Sequence, residues 1–118
     1  MFNKRQVGNK GEDLACDYLK NLGYKILTRN FTIRGGEIDI VARDREELVF
    51  VEVKLRVGNQ FGTAKESITY WKLKALQKTA LFYIQKINWA NRPYRFDLVA
   101  IDNQDGKVEI ALEKNITG

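Results

Sequence analysis

Histidine is absent from the 118-residue chain, and cysteine and proline each occur once. Without histidine the chain cannot carry a Ser-His-Asp or Cys-His triad, a histidine-ligated metal, or the chemistry of HNH-type nucleases. The single Cys16 cannot form an internal disulfide or a cysteine-based zinc site. These absences remove whole classes of enzyme and of metal site before any motif is considered.

Long apolar segments are also missing. The longest apolar run covers only residues 80–84, far short of the ~18 residues that a membrane helix needs. The N-terminus turns polar before the apolar part of a signal peptide could form. We therefore expect a soluble, cytoplasmic protein with no membrane partner.

The chain does contain abundant charge and enough apolar residues for one core. Hydrophobic residues make up 44% of the sequence and charged residues 30%, which is typical of a globular protein rather than a disordered one. The length predicts one domain over residues 1–118. Lysine and arginine total 20 against 15 acidic residues, a formal net charge of +5, and this excess favours polyanionic partners.

Hydrophobic periodicity and turn residues predict the element order α-β-β-β-α-β-β. Helices are predicted over residues 3–22 and 69–86, where apolar residues recur at helical spacing. Strands are predicted over residues 24–31, 37–43, 48–56, 95–101 and 108–112, bounded by turn residues. We therefore expect an α/β fold in which helices flank a central mixed β-sheet.

The second and third strands carry charged residues among apolar ones. Because side chains two residues apart share a face of a strand, Glu52, Lys54 and Arg56 are expected on one face of the third strand. The same period predicts two opposite sets on the second strand: Glu37, Asp39 and Val41 against Ile38, Ile40 and Ala42.

A hairpin with its tip at residues 45–46 would pair positions whose numbers sum to 91. Asp39 then faces Glu52, and Glu37 faces Lys54. Facing carboxylates repel by a few tenths to ~1 kcal/mol, so a compensating cation is expected. A hard divalent cation such as Mg²⁺ would fit between Asp39 and Glu52, with the backbone carbonyl of Val53 as a further ligand.

Lys54 has two interpretations. In the first, it orients or helps to deprotonate a water and stabilises charge that develops on a phosphate. In the second, it only neutralises Glu52 and Glu37 on a solvated face. The acid-x-lysine pattern discriminates poorly, because residues 105–107 repeat it in an ordinary turn. What favours a functional site is that Glu52 and Lys54 lie on an otherwise apolar strand, opposite Asp39.

The first helix adds another carboxylate. Glu12 lies on the apolar face with Ala15 and Leu19, so it should have a partner if it is buried. Gly8 and Gly11 each lose ~1 kcal/mol relative to alanine in a helix. A close approach of this helix to the sheet or to a nucleic-acid backbone would explain them, and a frayed helix start with Glu12 in solvent is the alternative.

Six short motifs follow one another along the chain. They are Gly11-Glu12, Gly36-Glu-Ile-Asp39, Val49-Phe-Val-Glu-Val-Lys54, Arg56, Phe61-Gly62 and Arg95-Phe-Asp97. In this order, from about Gly8 to Ile101, they resemble the YraN-type family of small bacterial proteins. That family is similar to the PD-(D/E)xK nuclease superfamily, which has the restriction-endonuclease-like fold, and in layout to archaeal Holliday-junction resolvases.

The resemblance implies hydrolysis of phosphodiester bonds that depends on Mg²⁺ or Mn²⁺, with DNA, including branched or junction DNA, as the substrate. Asp39 matches the Asp of the motif, Glu52 its second acid and Lys54 its lysine, whereas Ile38 replaces its proline. Glu12 matches the helical Glu of the resolvase-like branch. These four matching residues, Glu12, Asp39, Glu52 and Lys54, are therefore the expected catalytic residues.

Basic and aromatic residues near this cluster are expected to contact nucleic acid. The expected phosphate contacts are Lys10, Arg34, Arg56 and Lys72. Tyr70 and Trp71 could stack on bases, although partial burial at the start of the second helix is the favoured interpretation.

Two other functions remain open at this point. The chain could be a nucleic-acid-binding module that keeps a nuclease-like fold without turnover. It could also be a protein-interaction or structural factor in which the acidic cluster is incidental. Cleavage of both strands of a symmetric substrate needs two active sites, with which a homodimer is compatible.

Overall fold

The structure, a computed structural model, describes residues 4–58 and 63–118, the side chains of residues 4–9 excepted. Over these residues the chain forms two α-helices, one short 3-10 helix (Lys65–Ser67) and five strands. The helices are α1 (Lys4–Asn21) and α2 (Tyr70–Lys86). The strands are β1 (Lys25–Ile33), β2 (Gly36–Asp44), β3 (Glu47–Val57), β4 (Tyr94–Gln104) and β5 (Lys107–Glu113).

The predicted order α-β-β-β-α-β-β is confirmed, and only the 3-10 helix was not predicted. The first predicted helical residue, Asn3, and the Phe61-Gly62 motif lie outside the described residues. Across residues 4–58 and 63–118, neither helix has the length and apolar character that crossing a membrane requires.

The strands form one sheet in the order β1-β2-β3-β4-β5. Neighbouring strands are antiparallel except β3 and β4, which are parallel. A parallel pair needs a long crossover connection, and α2 lies within the segment that joins β3 to β4. The sheet is therefore mixed, as predicted.

Each face of the sheet is covered by a helix. On one face, α1 packs against alternate residues of β2, β3 and β4; the helix contributes Ala15, Cys16 and Leu19, and the sheet Ile40, Val49, Val51 and Val99. On the other face, α2 contributes Leu76, Ala80 and Tyr83, and the sheet Ile38, Phe50 and Leu98. Two apolar layers thus enclose a sheet whose central strand, β3, is buried on both faces over much of its length.

Helix α1 is terminated by Gly23, which closely follows its last turn. Gly23 has a φ of 95°, and its N–H donates to the carbonyl of Lys20 at 2.9 Å. The N–H of Tyr24 donates to the carbonyl of Leu19 at 2.9 Å, which completes the two bonds of a Schellman motif. The chain therefore turns at once into β1, and α1 lies back across the sheet.

Helix α2 approaches the sheet most tightly at Gly36, the first residue of β2. A Cβ at this position would overlap the hydroxyl oxygen of the buried Thr79 and lie 3.3 Å from the carbonyl oxygen of Ala75. At Gly11 of α1, by contrast, a Cβ would meet Ile101 at 3.9 Å, an ordinary contact. The expectation that Gly11 permits a close approach to the sheet is therefore wrong, and the approach that needs glycine is at Gly36.

Successive side chains of β2 point to opposite faces of the sheet, and this alternation is interrupted at Asp39. Ile40 faces α1, as predicted, whereas Ile38 faces α2, so the prediction that these two residues share a face is wrong. Opposite Asp39 in β1 lies Asn30, which has a positive φ of 55°. Because asparagine tolerates this left-handed conformation, β1 twists locally without an inserted residue, and the faces of both strands change there.

Candidate active site

The hairpin of β2 and β3 has the predicted register. Ile40 pairs with Val51 and Asp44 with Glu47, so paired numbers sum to 91. Beyond Ile40, the N–H of Val53 donates to the Asp39 carboxylate at 2.8 Å. Asp39 therefore supplies by its side chain the acceptor that a neighbouring strand would ordinarily offer.

The Val53 carbonyl points toward Asp39, as the Val53 N–H does. In an extended strand the N–H and the C=O of one residue are directed to the same side. Because the Val53 N–H is directed at Asp39, its carbonyl lies on the Asp39 side of β3. Val53 as a metal ligand stays a prediction, and its carbonyl lies on the side which that role requires.

Three carboxylates converge beside this contact. One carboxylate oxygen from each of Glu12, Glu37 and Asp39 lies within 4.8 Å of the others. Glu12 extends from α1, and the other two extend from β2. The sequence predicts Glu12 and Asp39 as members of the site, whereas it predicts Lys54 as the charge partner of Glu37. Within the described residues those two make no ion pair, and Glu37 is the member of the cluster that sequence reasoning missed.

The partner that Glu12 needed is Arg29 of β1. An Nη atom of Arg29 lies 3.5 Å from Glu12 Oε2, but the same guanidinium lies closer to Asp13, at 2.8 Å. Glu12 Oε2 is buried and accepts no hydrogen bond from the part of the chain that is described. Burial raises the pKa of Glu12, and the nearby Asp39 carboxylate raises it further.

Glu52 is the most deeply buried carboxyl of the site, with 9% of the residue exposed. Lys72 of α2 lies 3.4 Å from its Oε1, whereas its Oε2 has no hydrogen-bond partner among the described residues. Burial, followed by the charge of Asp39, raises the pKa of Glu52 to about 7, against the opposing effect of Lys72. The pKa of Asp39 is also raised, chiefly by burial, although the Val53 N–H favours its charged form.

Asp39 thus interacts electrostatically with groups from both layers of the molecule. Glu12 reaches it from α1, and Lys72 influences it from α2. This is possible because β2 and β3 cease to pair at Asp39, which opens the sheet at this point. The structure brings together Glu12, Asp39 and Glu52, which the sequence assigns to one site. Three residues that the sequence does not assign to it, Glu37, Arg29 and Lys72, lie around them.

The cation on Glu52 is Lys72 rather than Lys54. Lys54 is half-buried on the same face of β3 as Glu52. It makes no hydrogen bond or ion pair with any residue that the structure describes. Among the described residues the ion-pair partner of Glu52 is therefore Lys72, and both interpretations of Lys54, as a catalytic lysine and as a lysine that only balances the charge of Glu52 and Glu37, stay predictions.

The expected phosphate-binding residues differ in their surroundings. Lys10 on α1 and Arg34 in the β1–β2 turn are exposed. Arg56 instead makes two hydrogen bonds to the carboxylate of Asp102, at 2.6 and 3.0 Å, and Lys72 is engaged by Glu52. Phosphate binding by these four residues stays a prediction, and Arg56 would have to share its guanidinium with Asp102.

The Arg95-Phe96-Asp97 motif builds a scaffold at the other end of the hairpin. Asp97 is fully buried and accepts hydrogen bonds from the Tyr24 hydroxyl at 3.1 Å, from Arg95 at 3.0 Å and from the Asn115 N–H at 2.9 Å. Arg95 also binds the two acids beside the hairpin tip, Asp44 and Glu47. The network joins the tip and the C-terminal segment to β4, so this motif supports the fold rather than the acidic cluster.

Comparison with known proteins places these residues in a family. Residues 11–101 match the family described as Uncharacterised protein family UPF0102. The chain is 43% identical to a UPF0102 protein of Carboxydothermus hydrogenoformans over 115 residues, 98% of each chain. It is 45% identical over 104 residues to one of Thermodesulfovibrio yellowstonii (88% of this chain, 90% of the relative) and 46% identical over 103 residues to one of Vibrio campbellii (86% and 84%).

The matched segment contains the whole acidic cluster together with Lys54 and Lys72. It also covers almost the same range as the resemblance to the YraN-type family, which is thereby confirmed. This chain belongs to the UPF0102 family.

Proposed function

We propose that the protein is a metal-dependent endonuclease that hydrolyses phosphodiester bonds in DNA, with branched DNA among its substrates. One observation carries the proposal: four carboxyl groups meet around Asp39 with too few cations to balance them. Among the described residues, the cations that form ion pairs with these carboxylates are Lys72 and an Arg29 that also binds Asp13. Buried oxygens of Glu12 and Glu52 remain without a hydrogen-bond donor there.

A divalent ion fits this set of donors. A buried polar oxygen without a partner costs about 1–3 kcal/mol or more, and Mg²⁺ and Mn²⁺ prefer oxygen ligands. Asp39 would hold the ion together with oxygens drawn from Glu12, Glu37, Glu52 and the Val53 carbonyl. When bound, such an ion would polarise a phosphate and lower the pKa of a water molecule.

The side chains of the site have distinct roles in this proposal. The Val53 N–H fixes the orientation of the Asp39 carboxylate. Glu52 must be ionised to serve as a ligand, and Lys72 favours that ionised form. Lys54, which has no partner among the described residues, would orient the attacking water and stabilise negative charge on the phosphate.

The partner class follows from charge and from the family resemblance. A net charge of +5 favours binding to a polyanion. The element order α-β-β-β-α-β-β and the residues that match the PD-(D/E)xK pattern support DNA as that polyanion.

Cleavage of a panel of labelled DNAs tests the proposal. Junction, flap, duplex and single-stranded DNA would be incubated with the protein and Mg²⁺ or Mn²⁺. We expect metal-dependent cleavage of at least one of them, and a loss of roughly 100-fold or more in Asp39→Asn and in Glu52→Gln. Glu109→Gln, an exposed acid on β5, is the matched control and should cleave like the wild type.

Two outcomes would contradict the proposal. One is failure to cleave every substrate with either metal, and another is a wild-type rate in Asp39→Asn. Tight binding of DNA without any cleavage would instead support a non-catalytic nucleic-acid-binding module.

A further inference from the structure

The first turn of α2 presents two aromatic side chains to solvent. Trp71 is 78% exposed and Tyr70 63% exposed, so the expectation of partial burial at the start of this helix is wrong. Their ring centroids lie 5.1 Å apart in an edge-to-face arrangement. Large aromatic rings usually contribute to cores or interfaces, and this pair contributes to neither core cluster.

The surroundings of the pair are cationic. Helix α2 contains no acidic residue, and Lys72, Lys74 and Lys78 are all exposed on it. The ammonium group of Lys74 lies 5.4 Å from the centre of the Tyr70 ring. Aromatic rings combined with lysines are the elements with which proteins bind single-stranded nucleic acid, because bases stack on the rings and phosphates pair with the cations.

The position of the pair connects it to the candidate active site. Lys72 follows Trp71 directly, and its ammonium group lies 3.4 Å from Glu52. The first turn is held in place by its cap, since the Lys72 N–H donates to the Thr69 hydroxyl at 3.1 Å. The two rings are therefore carried by an ordered helix end that also reaches the acidic cluster.

We propose that the exposed Trp71 ring, against which Tyr70 packs edge-to-face, is a stacking platform for an unpaired base of the nucleic-acid substrate. The occupant is a single-stranded or unpaired segment, because bases within a duplex are already stacked on one another and offer no free face. The role of the platform in cleavage depends on the proposed nuclease function, whereas its binding of an unpaired base does not.

Tryptophan fluorescence can report on this platform. The chain has two tryptophans. Trp89 is buried at 5% exposure, donates its indole N–H to the Pro93 carbonyl at 2.8 Å and lies under the Arg92 guanidinium. Quenching of the emission by an added oligonucleotide should therefore come from Trp71.

The experiment titrates oligothymidylate into the protein in EDTA, so that binding is measured without metal-dependent cleavage. We expect quenching in the wild type and its loss in Trp71→Phe. The affinities of all the variants are read from the anisotropy of a fluorescein-labelled oligothymidylate, by which Trp71→Phe should retain most of the affinity. Trp71→Ala should bind oligothymidylate roughly 5- to 100-fold more weakly, the range expected for loss of one stacked base. Its affinity for fully paired duplex should change less than about twofold.

Leu81→Ala is the matched control, because Leu81 is a 54% exposed apolar residue of the same helix, and it should bind like the wild type. The inference is overturned if the wild type shows no quenching, if Trp71→Ala keeps wild-type affinity for oligothymidylate, or if duplex binding weakens equally. Cleavage in Mg²⁺ is measured separately on the same proteins. Loss of stacking in Trp71→Ala without cleavage by any protein would leave the platform supported and the nuclease proposal contradicted.

Discussion

Glu52 is a buried carboxyl whose pKa is raised by burial and by the charge of Asp39, against the opposing effect of Lys72. Its pKa of about 7 lies above the ordinary value of 4.5, so between these pH values the folded protein holds a proton that the unfolded chain releases. The stability contributed by the neutral carboxyl is complete below pH 4.5. It is lost as the pH rises to 7, by on the order of 3 kcal/mol.

This pH dependence is a prediction for the metal-free protein. In EDTA, urea unfolding should give a lower free energy of unfolding at pH 8 than at pH 5. Glu52→Gln should remove much of that difference, because its amide does not titrate. An equal pH dependence in wild type and variant would show that Glu52 ionises normally in the folded state.

The catalytic role of Lys54 can be tested by substitution of this single residue. If it acts on the water or on the phosphate, Lys54→Met should bind metal and DNA like the wild type but turn over roughly 100-fold more slowly. Lys54→Arg separates charge from proton transfer, since a guanidinium keeps its charge near neutral pH. Lys107→Met is the control, because Lys107, the first residue of β5, completes the same acid-x-lysine pattern after the turn that follows β4. Wild-type turnover in Lys54→Met would contradict a catalytic role for this lysine.

Individual residues of the site could be predicted from sequence where a local pattern placed them. A two-residue tip was sufficient to fix the hairpin register as far as the pair Ile40 and Val51, and Asp39 and Glu52 are the next residues along the two strands. Arg29 could not be predicted as the partner of Glu12, because that contact depends on how α1 crosses β1. Glu37 carried a signal, its position two residues before Asp39, but local pairing rules assigned it to Lys54.

Among the helices and strands, alanine substitutions of a glycine in α1 and of a glycine in β2 should have opposite effects on the stability of the protein. Gly36→Ala forces a Cβ against Thr79 and should destabilise the protein by about 1–3 kcal/mol. Gly11→Ala meets only an ordinary contact and gains helix propensity, so it should be neutral or stabilise by up to about 1 kcal/mol. Thermal and urea unfolding of the two variants measures both effects. A stable Gly36→Ala would mean that α2 does not pack closely on β2.

The assignment of side chains to the two faces of the sheet could be predicted for β3 but not for all of β2. β3 keeps its period of two along its pairing with β4, so the faces of its valines and of Glu52 were predicted correctly. β2 loses that period at Asp39, opposite the left-handed Asn30. No hydrophobic pattern encodes such a twist, because it arises from the backbone conformation of a residue in another strand.

For the whole molecule, the order of elements was predictable because each helix and strand has its own periodicity and its own stop signal. Within the acidic cluster, the hairpin register placed Asp39 near Glu52, the family resemblance placed Glu12, and neither identified Glu37. Contacts between layers, such as that of Lys72 with Glu52, required the packing of α2 on the sheet. Membership of the UPF0102 family is established by the comparisons.

Calorimetric titration of Mn²⁺ into the metal-free protein tests the central claim, that Asp39 and its neighbours hold a divalent ion. Asp39→Asn is the informative variant, because its amide oxygen can still accept the Val53 N–H while its charge is lost. We predict saturable binding by the wild type and by the control Glu109→Gln, with affinity weaker by roughly tenfold or more in Asp39→Asn. Equal Mn²⁺ affinity in Asp39→Asn and in the wild type would contradict the account.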